Sequence, residues 1–223
     1  MPATELSLLP SNAPGEIPQA YRDIVVEAID IQGKWCATNA PWLTKDRGAA
    51  LFQQLKDKGV LLITAHWDSI DQHHACIASE ANQKILEEAM PYMDTKAIKP
   101  GHIDGLYMLP NSEDEGIIPA LEAPILSVTV WTVSRENKAQ FEEAMGKVKG
   151  ILDALTTPYR HRGGWKIEKD PGKEDIEQYY VVGGLESIEK YLEDIKTGGY
   201  DEYVQPLLSL SLDTDTKRYK RIA

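Results

Sequence analysis

A chain of 223 residues with 42% hydrophobic and 26% charged side chains has the composition of a globular protein with a real core. Its net charge of −11 argues against nucleic acid or an anionic membrane as partner, because phosphate contacts need clustered Lys and Arg. Two Cys are too few for a disulfide framework, no stretch approaches the ~18 apolar residues of a spanning helix, and the N-terminus carries no export signal, so a cytoplasmic location is expected.

In chain order, residues 4–9 alternate enough for a strand closed by Pro10, and the Pro- and Gly-containing 11–18 stretch is a loop. Residues 18–32 read as a helix with Tyr21, Ile24, Val25, Ala28 and Ile29 on one face and Gly33 as its stop. The short apolar run 35–42, with Pro41 inside it, suggests an irregular edge strand. Leu51, Phe52 and Leu55 suggest a short helix over 49–57, ended by Gly59.

Val60, Leu61, Leu62, Ile63 and Ala65 then form a buried strand. Asp68-Ser69 supplies an N-cap, and the apolar spacing of Ile70, Ala75, Ile77, Ala78, Ala81, Ile85, Leu86 and Met90 predicts one long amphipathic helix down to Met93. Residues 102–109 close the first half as a strand, and the acidic, Pro-containing 111–123 segment has linker composition.

The second half opens on the clearest strand, 124–134, where Val, Thr and Trp alternate. A helix over 137–155, a turn over 156–161, a strand at 164–168 and a Pro-Gly turn at 170–173 follow. A strand over 176–185, a helix over 187–197 stopped by Gly198-Gly199, and a last strand over 207–212 complete it. The basic run Lys217-Arg218-Tyr219-Lys220-Arg221 reads as a solvated end.

Glu186-Ser187-Ile188-Glu189 repeats Asp68-Ser69-Ile70-Asp71 half a chain later, in the same strand–corner–helix order. Each half therefore reads β-α-β-β-α-β. The fold class expected is α+β, two fused ferredoxin-like repeats (1–110 and 124–223) forming an intramolecular α+β barrel in which the two sheets cover each other's apolar faces.

The segment LITAHWDSIDQHHACIA, residues 62–78, resembles the fourth-strand signature of the dimeric α+β barrel superfamily. That superfamily includes antibiotic-biosynthesis-monooxygenase-like, ethyl tert-butyl ether degradation-like and stress-responsive groups. The Thr4-Glu5-Leu6 strand and the His74 to Glu80 helix are most similar to fungal members. The resemblance spans nearly the whole chain as a tandem fusion and is weakest over 35–55. It implies the fold more than the chemistry, since the scaffold hosts cyclases, oxygenases, haem-active enzymes and inactive proteins. Haem-degrading members pair a strand-end Trp with a His down the next helix; Trp67 fills the first place, but Glu87 and Glu88 occupy the second. The Tyr and His of the polyketide cyclases fall on Cys76 and Asn82, and on Asp194 and Tyr200 in the second half, so that dyad is absent.

Among the five His, His66 shares a strand face with Leu62 and Thr64, while Trp67 shares the other with Leu61, Ile63 and Ala65. His66 with His102 could form a general acid/base pair in a pocket, or both could be buried His bonded to backbone. His74, near Ile70 and Ile77, suits a core or rim position, and His161 sits in a basic turn, Tyr159-Arg160-His161-Arg162, of surface character. Trp67, Tyr107, Trp131, Trp165 and Tyr180, on predicted strands, with His74, could line a substrate pocket between sheet and helices, or could be an aromatic core. Cys76 reads as inert packing.

No cluster has metal-ligand spacing, and no cofactor is expected. The leading functional expectation is a cofactor-independent cyclase, isomerase or oxygenase acting on a hydrophobic polyketide- or terpenoid-like metabolite. The alternative is a non-catalytic ligand-binding or stress-responsive barrel. Exposed sheet edges leave a homodimer open as a partner.

Overall fold

The computed structural model describes residues 1–13, 15–40, 47–108, 116–197 and 200–223. They divide into two compact units, Met1–Asp104 with Tyr219–Ala223, and Gly105–Arg218.

The first unit runs β1 (Ala3–Pro10), α1 (Gln19–Asn39), β2 (Ala50–Gln54), β3 (Val60–Trp67), α2 (Ile70–Ile77), α3 (Glu80–Ala89) and β4 (His102–Asp104). Its strand order is β4-β1-β3-β2, the ferredoxin-like arrangement, with antiparallel pairing throughout. In the β1–β3 register Glu5 stands opposite Ala65 and Thr4 opposite His66, and β4 adds His102 opposite Glu5. Pleating then sorts the side chains. Leu61 and Ile63 face the helices, where they pack with Tyr21, Val25, Ala89 and Met93. Leu62, Thr64 and His66 face the other way and are buried as well.

The second unit contains β5 (Ile125–Ser134), α4 (Lys138–Thr156), β6 (Arg162–Lys166), β7 (Ile176–Leu185), α5 (Ile188–Thr197), α6 (Tyr200–Leu210) and β8 (Ser211–Arg221) up to Arg218, the last three residues of β8 belonging to the first unit. The order β8-β5-β7-β6 repeats the ferredoxin-like pattern. Trp131 and Val133 of β5 pack against Phe141, Met145 and Val148 of α4 and against Val204 and Leu207 of α6. Phe141 is fully buried with its ring 5.6–5.9 Å from those of Trp131, Trp165 and Tyr179. Ser69 and Ser187 cap the corresponding helices in the two units, each accepting a backbone N–H three residues on at 3.1 Å.

The α+β class and the two ferredoxin-like units are as expected, and the differences lie in individual elements. Helix α1 passes Gly33 and continues to Asn39, so Trp35 is helical rather than in an edge strand. Nothing lies within 4 Å of a Cβ placed on Gly33, and its backbone stays helical. The 49–57 helix is instead strand β2, because pairing of Ala50–Gln53 with β3 outweighs an ambiguous five-residue pattern. The predicted long helix breaks at Ser79, which is extended (φ −65°, ψ 147°) and donates its Oγ–H to Cys76 O at 2.7 Å.

Strand β4 stops at Asp104, leaving Tyr107 off the sheet and 46% exposed. The linker segment holds a 3-10 turn at Ala120–Glu122 and a bridge from Ile118 to Tyr159, while 109–115 lie outside the described residues. Strand β6 begins two residues early, at Arg162. Residues 207–210 belong to helix α6, and the last strand occupies the basic run taken for a solvated tail. Its final residues, Tyr219–Arg221, pair with β2.

Candidate functional site

Two polar constellations are built on helix-facing sheet positions, one in each unit. In the first, Trp67 ends β3 and His73 sits one turn into α2, which the Ser69 cap fixes against the sheet. Trp67 Nε1 donates to Glu5 Oε2 at 3.0 Å, and His73 Nε2 lies 3.3 Å from the same oxygen. His73 Nδ1 stands 2.7 Å from His102 Nε2, and the His73 ring stacks on the Trp67 indole at 4.4 Å. A carboxylate only accepts, so a proton on His73 Nε2 leaves Nδ1 to accept from His102 Nε2–H. Burial pulls the His73 pKa down, against the Glu5 carboxylate, which raises it.

This arrangement sorts the histidines expected to act as a pair. His102 joins Glu5, Trp67 and His73 on the helix face. His66 is on the opposite face, its Nδ1 2.7 Å from Thr4 Oγ1, so the two cannot share one proton-transfer site. His74 is exposed, its ring 6.3 Å from that of His102. Cys36 and Cys76 are buried beside Trp67, and burial pushes the Cys76 thiol up to about 12.

The second constellation surrounds a cavity of about 50 Å³ between β5, β7 and the helices. Trp131, Met145, Val148, Leu152 and Leu207 form apolar walls; Ser127, Thr129, Thr156, His161 and Tyr191 are its polar members. Gly183 opens the space on β7, where a Cβ would come within 2.8 Å of Thr156 Cγ2. His161 precedes β6 and is 6% exposed, not at the surface as its basic neighbours suggested. Its Nδ1 lies 2.9 Å from Asp153 Oδ1, a polar contact too oblique for a hydrogen bond. Burial lowers the His161 pKa to about 4 even though Asp153 works against it. Asp153 also receives Lys149 Nζ at 2.7 Å.

Of the aromatic residues expected at a pocket, Trp131 lines this cavity. Trp165 packs edge-on against Tyr179 at 4.9 Å and donates to Glu142 at 2.6 Å. Tyr180, paired with Val130 and Gly164, is on the opposite sheet face from the cavity. Sequence reasoning missed His161 and Asp153. The available signal was a carboxylate in the last turn of a strong helix, followed at close range by a His entering a Gly-Gly strand.

Among the described residues no group of three or more His, Cys, Asp or Glu is placed to hold a metal ion, and no helix is long and apolar enough to cross a membrane. No family model matches the chain, and no curated protein matches it by sequence. Solved structures do match over the full length. A candidate monooxygenase from Fusobacterium nucleatum has a TM-score of 0.63 at 11% identity, covering 100% of this chain and 93% of that one. An anthrone oxidase-like protein gives 0.61 at 11% identity, covering 100% and 92%. A candidate monooxygenase from Lactobacillus acidophilus gives 0.59 at 13%, covering 99% and 93%. At these identities the likeness shows the fold, an α+β barrel of ferredoxin-like units.

Proposed function

We propose that the chain is a cofactor-independent, oxygenase-like enzyme for a hydrophobic, polyketide-like metabolite bound in the second unit, with His161 as general base and Asp153 as its orienting partner. The observation that carries this reading is the Asp153–His161 pair at an otherwise largely apolar cavity. The charge of the Asp153 carboxylate, 2.9 Å away, favours the ring proton on Nδ1, which leaves Nε2 to accept a proton. A His with a pKa near 4 is unprotonated at neutral pH, and an enolate forming beside it would favour the imidazolium again. The name of one structural neighbour suggests an anthrone as probe. Its doubly activated CH₂ would lose one proton to His161, and dioxygen would oxidise the carbanion, giving quinone and one water from anthrone and one dioxygen. The matching Ser69 and Ser187 caps support reading the two units as a tandem duplication.

A cavity of about 50 Å³ holds water-sized guests, so a tricyclic substrate requires its walls to move apart. That volume favours the second reading, a non-catalytic, stress-responsive barrel whose pocket is filled by its own side chains. Dioxygen uptake with anthrone separates the two. An enzyme consumes one dioxygen per anthrone above the spontaneous rate and loses about 100-fold or more of that rate in His161→Gln. Uptake no faster than in buffer leaves the second reading.

A further inference from the structure

Arg47, just ahead of β2, is the most unusual cation among the described residues. It is 5% exposed, its guanidinium carbon lies 4.4 Å above the Trp67 ring, and Nη1 donates to Cys36 Sγ at 2.6 Å. Nε and Nη2 are closed off from solvent and have no hydrogen-bond partner among the described residues. Those two nitrogens form one edge of the guanidinium, the fork that meets both oxygens of a carboxylate. The nearby Glu5 does not fill it: its Oε2 serves Trp67 Nε1 and His73 Nε2 at the edge of the indole. A buried cation with its fork unmet is costly, and an anion relieves it.

We infer that Arg47 is the anchor of a carboxylate site in the first unit, beside the buried Trp67 indole. The ligand class is a small aliphatic carboxylate. The fork selects a planar two-oxygen anion over a point-like one, and the body must be small because Arg47 and His73 already cover the Trp67 ring, each at 4.4 Å. The site is independent of the second-unit cavity. Both fork nitrogens are out of solvent, so entry requires local opening and exchange is slow. A bound anion brings a negative charge beside Glu5, and His73, 3.3 Å from that carboxylate, is placed to take up the compensating proton.

Sodium acetate titrated into the full chain tests this, read on the Arg47 Nε–H and Trp67 Nε1–H signals by NMR. The expected result is saturable, slowly exchanging movement of both, with affinity weakened about tenfold or more in Arg47→Lys, which keeps the charge and loses the fork. No saturable movement in the wild-type protein up to tens of millimolar acetate overturns the inference, whether or not the variant folds. Unchanged affinity in a folded Arg47→Lys overturns it equally.

Discussion

His161 Nδ1 faces Asp153 Oδ1 at 2.9 Å, yet burial holds that imidazole's pKa near 4. In the unfolded chain the ring takes a proton below its ordinary 6.5, whereas in the fold it resists until about 4. Over that window the unfolded state binds more protons, so the stabilisation from a neutral ring is complete above pH 6.5 and lost as pH falls. The loss is on the order of 3 kcal/mol. His73, also lowered by burial, adds a loss of the same sign. Urea unfolding at neutral pH and near pH 4 should show His161→Gln with a clearly smaller acid loss than wild type; equal losses would place the acid sensitivity elsewhere.

Glu5 is the acceptor on which the first unit's polar cluster depends. Replacing it with Leu leaves Trp67 Nε1 without its acceptor and His73 without its carboxylate, at a cost of about 2–3 kcal/mol. Glu5→Gln keeps an accepting oxygen and should cost about 1 kcal/mol. Denaturant midpoints for the two variants check the ranking.

Two glycines should respond with opposite signs to the same substitution. A Cβ on Gly184 would meet Ala123 Cβ and Tyr159 Cβ at 2.6 Å, positions close to the backbone that cannot swing away. Gly184→Ala is therefore expected to lose about 1–3 kcal/mol. Gly33 is helical with open space around it, and Gly33→Ala should gain about 0.5–1 kcal/mol. Thermal melts of both variants decide the matter.

Filling the cavity should separate stability from binding. Val148 is buried on its wall, and Val148→Leu adds one methylene to a space of about 50 Å³. The expected gain is up to about 0.8 kcal/mol, with weaker anthrone binding and Asp153 and His161 left in place. A calorimetric titration alongside urea unfolding measures both quantities.

The strands were legible where burial imposes a clear pattern. The β5 alternation and the apolar β3 run both appear in the sequence, and the alternation also placed His66 and Trp67 on opposite faces. Strand β2 was not legible, since Leu51, Phe52 and Leu55 fit a helix as well as a strand and only pairing with β3 decides. The Ser-Leu alternation over 207–212 imitates a strand where α6 holds the chain in helix to Leu210, past Pro206. His161 looked like surface because its neighbours are Arg160 and Arg162. Its burial follows from its place against Asp153 of α4 and Gly183 of β7, which no local pattern records.

The central claim is that His161 is a neutral, ligand-accessible base at the second unit's cavity. An NMR titration of the histidine ring protons, with and without anthrone, tests it most directly. The predicted result is a His161 ring that stays unprotonated down to about pH 4 and whose signals move saturably when anthrone is added. A His161 that titrates near its ordinary 6.5 and does not respond to anthrone would contradict the account.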